Sequence, residues 1–308
     1  MSDPKAPKEE TIAKVGAAPA ADDAGRPAVP VVRYSMPAKL PQAQWEMVTP
    51  EMSHDALANM RRNRTLRNQR VEALKRDILL GRWKGFNGET VKQGEDGLWE
   101  DGQHRFTAIY RAGVAVPMLI VRGVTMDSRF TIDAGASKTY PDRLRMDNVL
   151  SAHTLGSIVR RMWYWDIRRQ FMQSSRDVMP TDLELEDYRL KHDAELTRSL
   201  NVAAHAKDCW LTPTVLGTVA ILLRRIDEDQ ANKFLQSMIT GAELKVRDPA
   251  YVLRNRLKKE SESEMRNYET RRALVFMAWN KFRDGEEIES LQLPRGREIT
   301  NRNYPLPY

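Results

Sequence analysis

The hydrophobic period of this chain changes once. Up to about residue 140, apolar residues fall in short runs of strand character, bounded by glycine and interrupted by brief helical stretches. Beyond that point the signals are almost all helical. The expected fold class is therefore α+β: a small α/β unit over residues 41–145, then an all-helical unit over 146–308 that ends in an extended strap, "LQLPRGREITNRNYPLPY". Residues 1–40 are rich in alanine and proline and have little to bury, which predicts a disordered tail. With 308 residues, 41% of them hydrophobic, the chain can bury a sizeable core.

Within the first unit, Trp45–Val48 reads as a strand running into Thr49-Pro50, where threonine caps a helix and proline fits its first turn. Val71, Leu74 and Ile78 recur at helical spacing, and Gly81 ends that run. "NGETVKQGEDGLWEDG" predicts two short strands joined by a Gly-Glu-Asp-Gly turn. A helix is expected from Gln103 to Arg111, "VPMLIVRGV" reads as a fully buried strand, and "RFTIDAG" alternates as a further strand. In the helical part, Trp163, Tyr164 and Trp165 of "RRMWYWDIRRQFM" suit core packing better than base stacking. Together they cover much of a helix circumference.

Charge narrows the partners. The formal net charge is +7 and the isoelectric point near 9.4, compatible with a polyanion. Residues 59–84 hold nine basic side chains against Glu72 and Asp77, a local excess of seven. Arg61, Arg62, Arg64, Arg67 and Arg70 are the nucleic-acid-binding candidates there, with a solvated helix face as the plainer explanation. The single cysteine, Cys209, excludes an intrachain disulfide and a cysteine-built metal site, and it reads as a buried, inert thiol. The five histidines show no zinc-ligand spacing, so no metal site is assigned. No apolar run approaches a membrane span or a signal-peptide core, so no membrane partner and a cytoplasmic location are expected.

The chemistry concentrates in "LWEDGQHRFTAI". Leu98 to Asp101 supply a strand end, Gly102 a tight turn and Gln103 onward a helix, whose free N–H groups and positive end attract anions. Arg105 adds a fork suited to phosphate, His104 a donor or proton carrier, and Asp101 a group to hold a metal or orient His104. The same residues also suit a purely structural corner, with Asp101 capping, Gly102 turning, and His104 and Arg105 solvated.

"NGETVKQGEDGLWEDGQHRFTAIYRAGVAVPMLIVRGV" with "TIDAGASKTYPDRL" resembles the ParB/sulfiredoxin-like superfamily, in the branch of phages and mobile elements marked by DGQHR. The likeness extends through "RIDEDQANKFLQSM", "DPAYVLRNRL" and "AWNKFRDGEEIESLQLP", covering about residues 42–305. It implies a small ParB/sulfiredoxin-like domain and phosphate binding by Gly102, Gln103, His104 and Arg105. Sulfiredoxins carry a catalytic cysteine where this chain has Gln103, so sulfur reduction is not implied. Partition proteins of the superfamily bind cytidine triphosphate at this turn, related serine kinases bind adenine nucleotides, and DGQHR-bearing phosphorothioation regulators bind DNA. The loop of Asn87 and Glu89 would lie beside the pocket. Read from the residues themselves, Thr131, Asp133 and Gly135 at a strand end, followed by Lys138, suit either a phosphate and Mg2+ site or a plain Asx-type turn.

The expected function is that of a ParB-like protein binding a nucleoside triphosphate with Mg2+, DNA, or both. One alternative is a phosphoryl-transfer or DNA-modifying enzyme in which Glu89, Asp101 or His104 is catalytic. Another is an assembly protein with a vestigial site, in which the helical half makes the contacts; in the leading reading that half supplies DNA contacts or self-association into a homo-oligomer.

Overall fold

The computed structural model describes residues 39–61, 65–125, 138–169, 178–261, 268–293 and 303–308. The N-terminal tail, "RFTIDAG" and much of the strap lie outside these residues. The fold is mixed helix and strand, of the α+β kind.

The chain enters through β1 (Gln42–Val48), three residues longer than its sequence signal. Thr49 then caps α1 (Pro50–Ala58): its side chain accepts from the Met52 N–H at 3.2 Å, with Pro50 in the first turn. There follow α2 (Asn68–Leu79), β2 (Thr90–Gly94), α3 (Gln103–Ala112) and β3 (Val116–Val124). The sheet order is β1-β3-β2, with β1 antiparallel to β3 and β2 parallel to it. α3 is the crossover that a parallel pair requires. The three helices and the sheet bury Val71, Phe106, Ile109, Val91, Met118 and Ile120 in one core.

Two expectations need correction here. β3 is not buried throughout: Val116, Met118, Ile120 and Val124 are buried, whereas Pro117, Leu119 and Val121 are half-exposed. The helices pack on one face of the sheet, so its continuous apolar run serves only one side. The second strand of the predicted hairpin is reduced to isolated bridges from Trp99 to Met60 and to Gln93. The hairpin pairing is short: Gly94 N–H donates to Leu98 O and Glu100 N–H to Lys92 O on either side of the Gln93–Trp99 bridge, while the Trp99 N–H, on the outer side, donates to Asn59 O.

From Tyr140 onward the described residues are helical: α4 (Tyr140–Met146), α5 (Ala152–Arg168), α6 (Asp182–Lys191), α7 (Asp193–Ala203), α8 (Pro213–Ile226), α9 (Glu228–Thr240), α10 (Pro249–Ser261) and α11 (Tyr268–Arg283). A second core forms around α8, with Ile158, Met162, Leu216, Phe234, Phe276 and Trp279 buried. Trp163, Tyr164 and Trp165 are buried as well. Cys209 is fully buried, and burial pushes its thiol up to about 12, so it is inert near neutral pH. The C-terminal residues lie along α11, where Trp279 Nε1 donates to Tyr308 O (3.1 Å) and Asn280 Nδ2 to Leu306 O (2.9 Å). None of the described helices is long and apolar enough to cross a membrane.

The two cores meet where α2 abuts the start of α6. Arg76 holds Glu184 through two hydrogen bonds of 3.1 and 3.0 Å, Arg82 pairs with Asp187 at 2.8 Å, and Asp77 accepts from the Thr181 hydroxyl at 3.1 Å. Burial pushes the Asp77 carboxyl above the ordinary aspartate value of 3.8, although Thr181 and two arginines oppose the rise. A group raised on folding stabilises the fold fully below its unfolded value and loses that contribution as the pH climbs through its folded one. Asp77→Asn keeps an acceptor for Thr181 and removes this titration. The variant is expected to gain stability relative to the parent as the pH rises from 3.8 toward neutrality. Urea midpoints for both proteins across that interval check it, and a pH-independent difference would refute it.

Candidate functional site

The DGQHR turn is shaped by a residue without a side chain. Gly102 has φ 113° and ψ 0°, in the left-handed region, and it is buried. A Cβ there would lie 2.7 Å from Val91 Cγ1 and 2.8 Å from Phe106 Cε2. The close approach lets β2 and the first turn of α3 share one corner. Gly102 supplies no side-chain cap, so the leading amides of α3 are left for other partners.

Asp101 works inside this corner. One of its carboxylate oxygens accepts from the Gly102 N–H (2.6 Å), and the other accepts from Arg105 Nη2 (2.6 Å) with Lys92 Nζ 3.6 Å away. With both oxygens engaged, Asp101 holds the Arg105 guanidinium and the turn amide together. Glu89, the other carboxylate expected to be catalytic, stands at the rim of this corner. Its carboxylate is 72% exposed and stands 3.7 Å from Arg105 Nη1, too far for a hydrogen bond. Arg105 itself is mostly buried. Its Nη1 has no hydrogen-bond partner among the described residues, and neither has the buried Oε1 of Gln103.

His104 is buried and accepts from the Arg67 N–H at 3.1 Å through Nε2. A backbone amide can only donate, so this nitrogen is unprotonated and the ring proton sits on Nδ1. His104 thus ties the residue that leads into α2 to the first turn of α3. The α2 terminus, led by Arg67, also has no side-chain cap. Neither helix therefore has a side-chain cap at its N-terminus, and Arg105 sits in the first turn of α3, at the positive end of that helix's dipole.

The other candidates divide. Arg61 is paired within the chain: its Nε donates to Glu100 at 2.6 Å and its Nη2 pairs with Asp96. Arg76 and Arg82 are likewise spent on acids of α6, so the linear run overstates the free positive charge. Arg67 and Arg70 are exposed on α2. Lys138 is exposed just before the Thr139 cap of α4, and among the described residues no hydrogen bond or ion pair joins it to the turn. Arg62, Arg64, Thr131, Asp133 and Gly135 lie outside the described residues. Asn87 forms a local turn, its Oδ1 accepting from the Glu89 N–H at 3.0 Å.

Lys92 was missed by the motif reading. Its signal was the alternation of β2, which buries Val91 and turns Lys92 toward the returning Asp101. Among the described residues no group of three His, Cys, Asp or Glu side chains could share a metal ion.

No protein-family model matches the sequence, and comparison with curated proteins and with solved structures returns no significant match.

Proposed function

We propose that the corner of β2, α2 and α3 is a phosphate-binding site of the ParB/sulfiredoxin-like kind, serving a nucleoside triphosphate or the backbone of DNA. The observation that carries the proposal is that Arg105 Nη1, in the first turn of α3, has no hydrogen-bond partner among the described residues, at a helix N-terminus that lacks a side-chain cap. A phosphate oxygen would supply the missing acceptor and accept from leading amides of α3. Asp101 would hold the guanidinium in place, and the exposed Glu89 would swing aside as the anion enters. Arg67 and Arg70, exposed on α2, suit the neighbouring phosphates of a polyanion. The hydrogen bonding of Asp101 and His104 favours binding over proton transfer, so the reading is of a binding protein in which this turn holds charge. Any Mg2+ would ride on the phosphates, as it often does when a protein offers few carboxylates.

Calorimetric titration with nucleoside triphosphates, with and without Mg2+, and with duplex DNA tests the proposal. Saturable binding that weakens steeply with salt is expected. Absence of heat with every one of these ligands at low ionic strength would remove it.

A further inference from the structure

The sheet is open on the side where the chain enters it. β1 pairs with β3 along one edge, and it has no neighbouring strand on the other among the described residues. Edge strands are normally blunted by proline, lysine, a bulge or short length. β1 has none of these four, and its one charged residue, the inward-facing Glu46, is already paired with Arg122. Its seven residues, Gln42 to Val48, contain no proline and no lysine and keep an unbroken register against β3. The face turned away from the helices is apolar and in water. Trp45 is 38% exposed, Met47 55% and nearby Phe86 77%, with the Trp45 and Phe86 rings 5.0 Å apart.

The sequence of β1 also complements itself. In an antiparallel pairing centred on Trp45, Trp45 faces its own copy and Ala43 faces Met47, all on the outer side. On the helix side, Gln44 faces Glu46 and Gln42 faces Val48. The strand's only charged residue, Glu46, therefore meets an amide, and no like charges oppose. Arg122, donating to Glu46 at 3.0 Å, already neutralises it within its own sheet.

We propose that β1 pairs with β1 of a second copy of this chain about a twofold axis at Trp45. The two three-stranded sheets then run on as one, an isologous contact that leaves no free β1 edge. This surface is separate from the DGQHR turn and does not depend on what binds there. It also places self-association on the sheet rather than on the helical half.

Sedimentation velocity of the full chain over a concentration series should show a monomer–dimer equilibrium. Trp45→Lys sets two like charges face to face at the axis and should abolish the dimer, with the parental helical content retained in the circular dichroism spectrum. Gln44→Lys sets a lysine against Glu46 of the second copy and should tighten the dimer about fivefold. Trp45→Cys should form a disulfide-linked dimer on mild oxidation, since the buried Cys209 does not compete. A full chain that stays monomeric at every concentration overturns the proposal. In that case slow hydrogen exchange of the β1 amides would assign the edge to a segment of the same chain, and fast exchange would leave it uncovered. A Trp45→Lys protein that still dimerises overturns it too.

Discussion

Replacing Gly102 with alanine is expected to destabilise the protein by about 2–4 kcal/mol and to abolish anion binding at the turn. Two costs combine. A left-handed φ of 113° strains any residue that carries a Cβ. The new methyl would also lie inside the contact distances of Val91 and Phe106, at 2.7 and 2.8 Å. Neither neighbour can retreat easily, because Val91 is in the sheet and the Phe106 ring packs edge-on against Trp99 with centroids 4.8 Å apart. Relief requires α3 to shift away from β2, which parts Asp101 from Arg105. Urea denaturation gives the stability loss and a binding titration the functional one. A variant with the parental midpoint would show that the corner has room the geometry denies it.

Arg105→Ala is expected to act on binding and to spare the fold. Losing charge-assisted hydrogen bonds worth about 1.5–3 kcal/mol should weaken phosphate binding by about one to two orders of magnitude. The corner should survive, because Asp101 keeps the Gly102 amide and Lys92. Arg105→Lys should recover only part of the affinity, since an ammonium keeps the charge and loses the fork. Thermal midpoints near the parental value for both variants, with affinity falling in the order Arg, Lys, Ala, is the expected pattern. Equal affinity in all three would refute a role for this side chain.

Much of the frame was legible before the fold. Thr49-Pro50 announced α1, the Gly102 and Gly113 pair bracketed α3, and Thr212 and Asp227 cap the helices they precede. These are local rules, decided within one turn of chain. The errors share a different origin. β3 reads as fully buried because apolar content does not reveal that helices cover only one face. The second hairpin strand is only a bridge to β2, and its outer amide, Trp99 N–H, goes to Asn59, distant in sequence. Arg61 reads as a free cation because its partners, Asp96 and Glu100, lie 35 and 39 residues away.

The amino-acid order by itself determined most of the described helices, the strands β1 to β3, the inert cysteine and the glycine turn at Gly102, because periodicity, capping and backbone freedom act over a few residues. What each charged side chain does was decided only by the tertiary structure. Asp101 and His104 look catalytic in the linear motif, yet the fold closes both carboxylate oxygens of one and the Nε2 lone pair of the other with hydrogen bonds. Arg105 emerged instead as the group with an unfilled donor. Hydrogen-bond satisfaction depends on which backbone and side-chain groups arrive from elsewhere in the chain, and no local pattern encodes that.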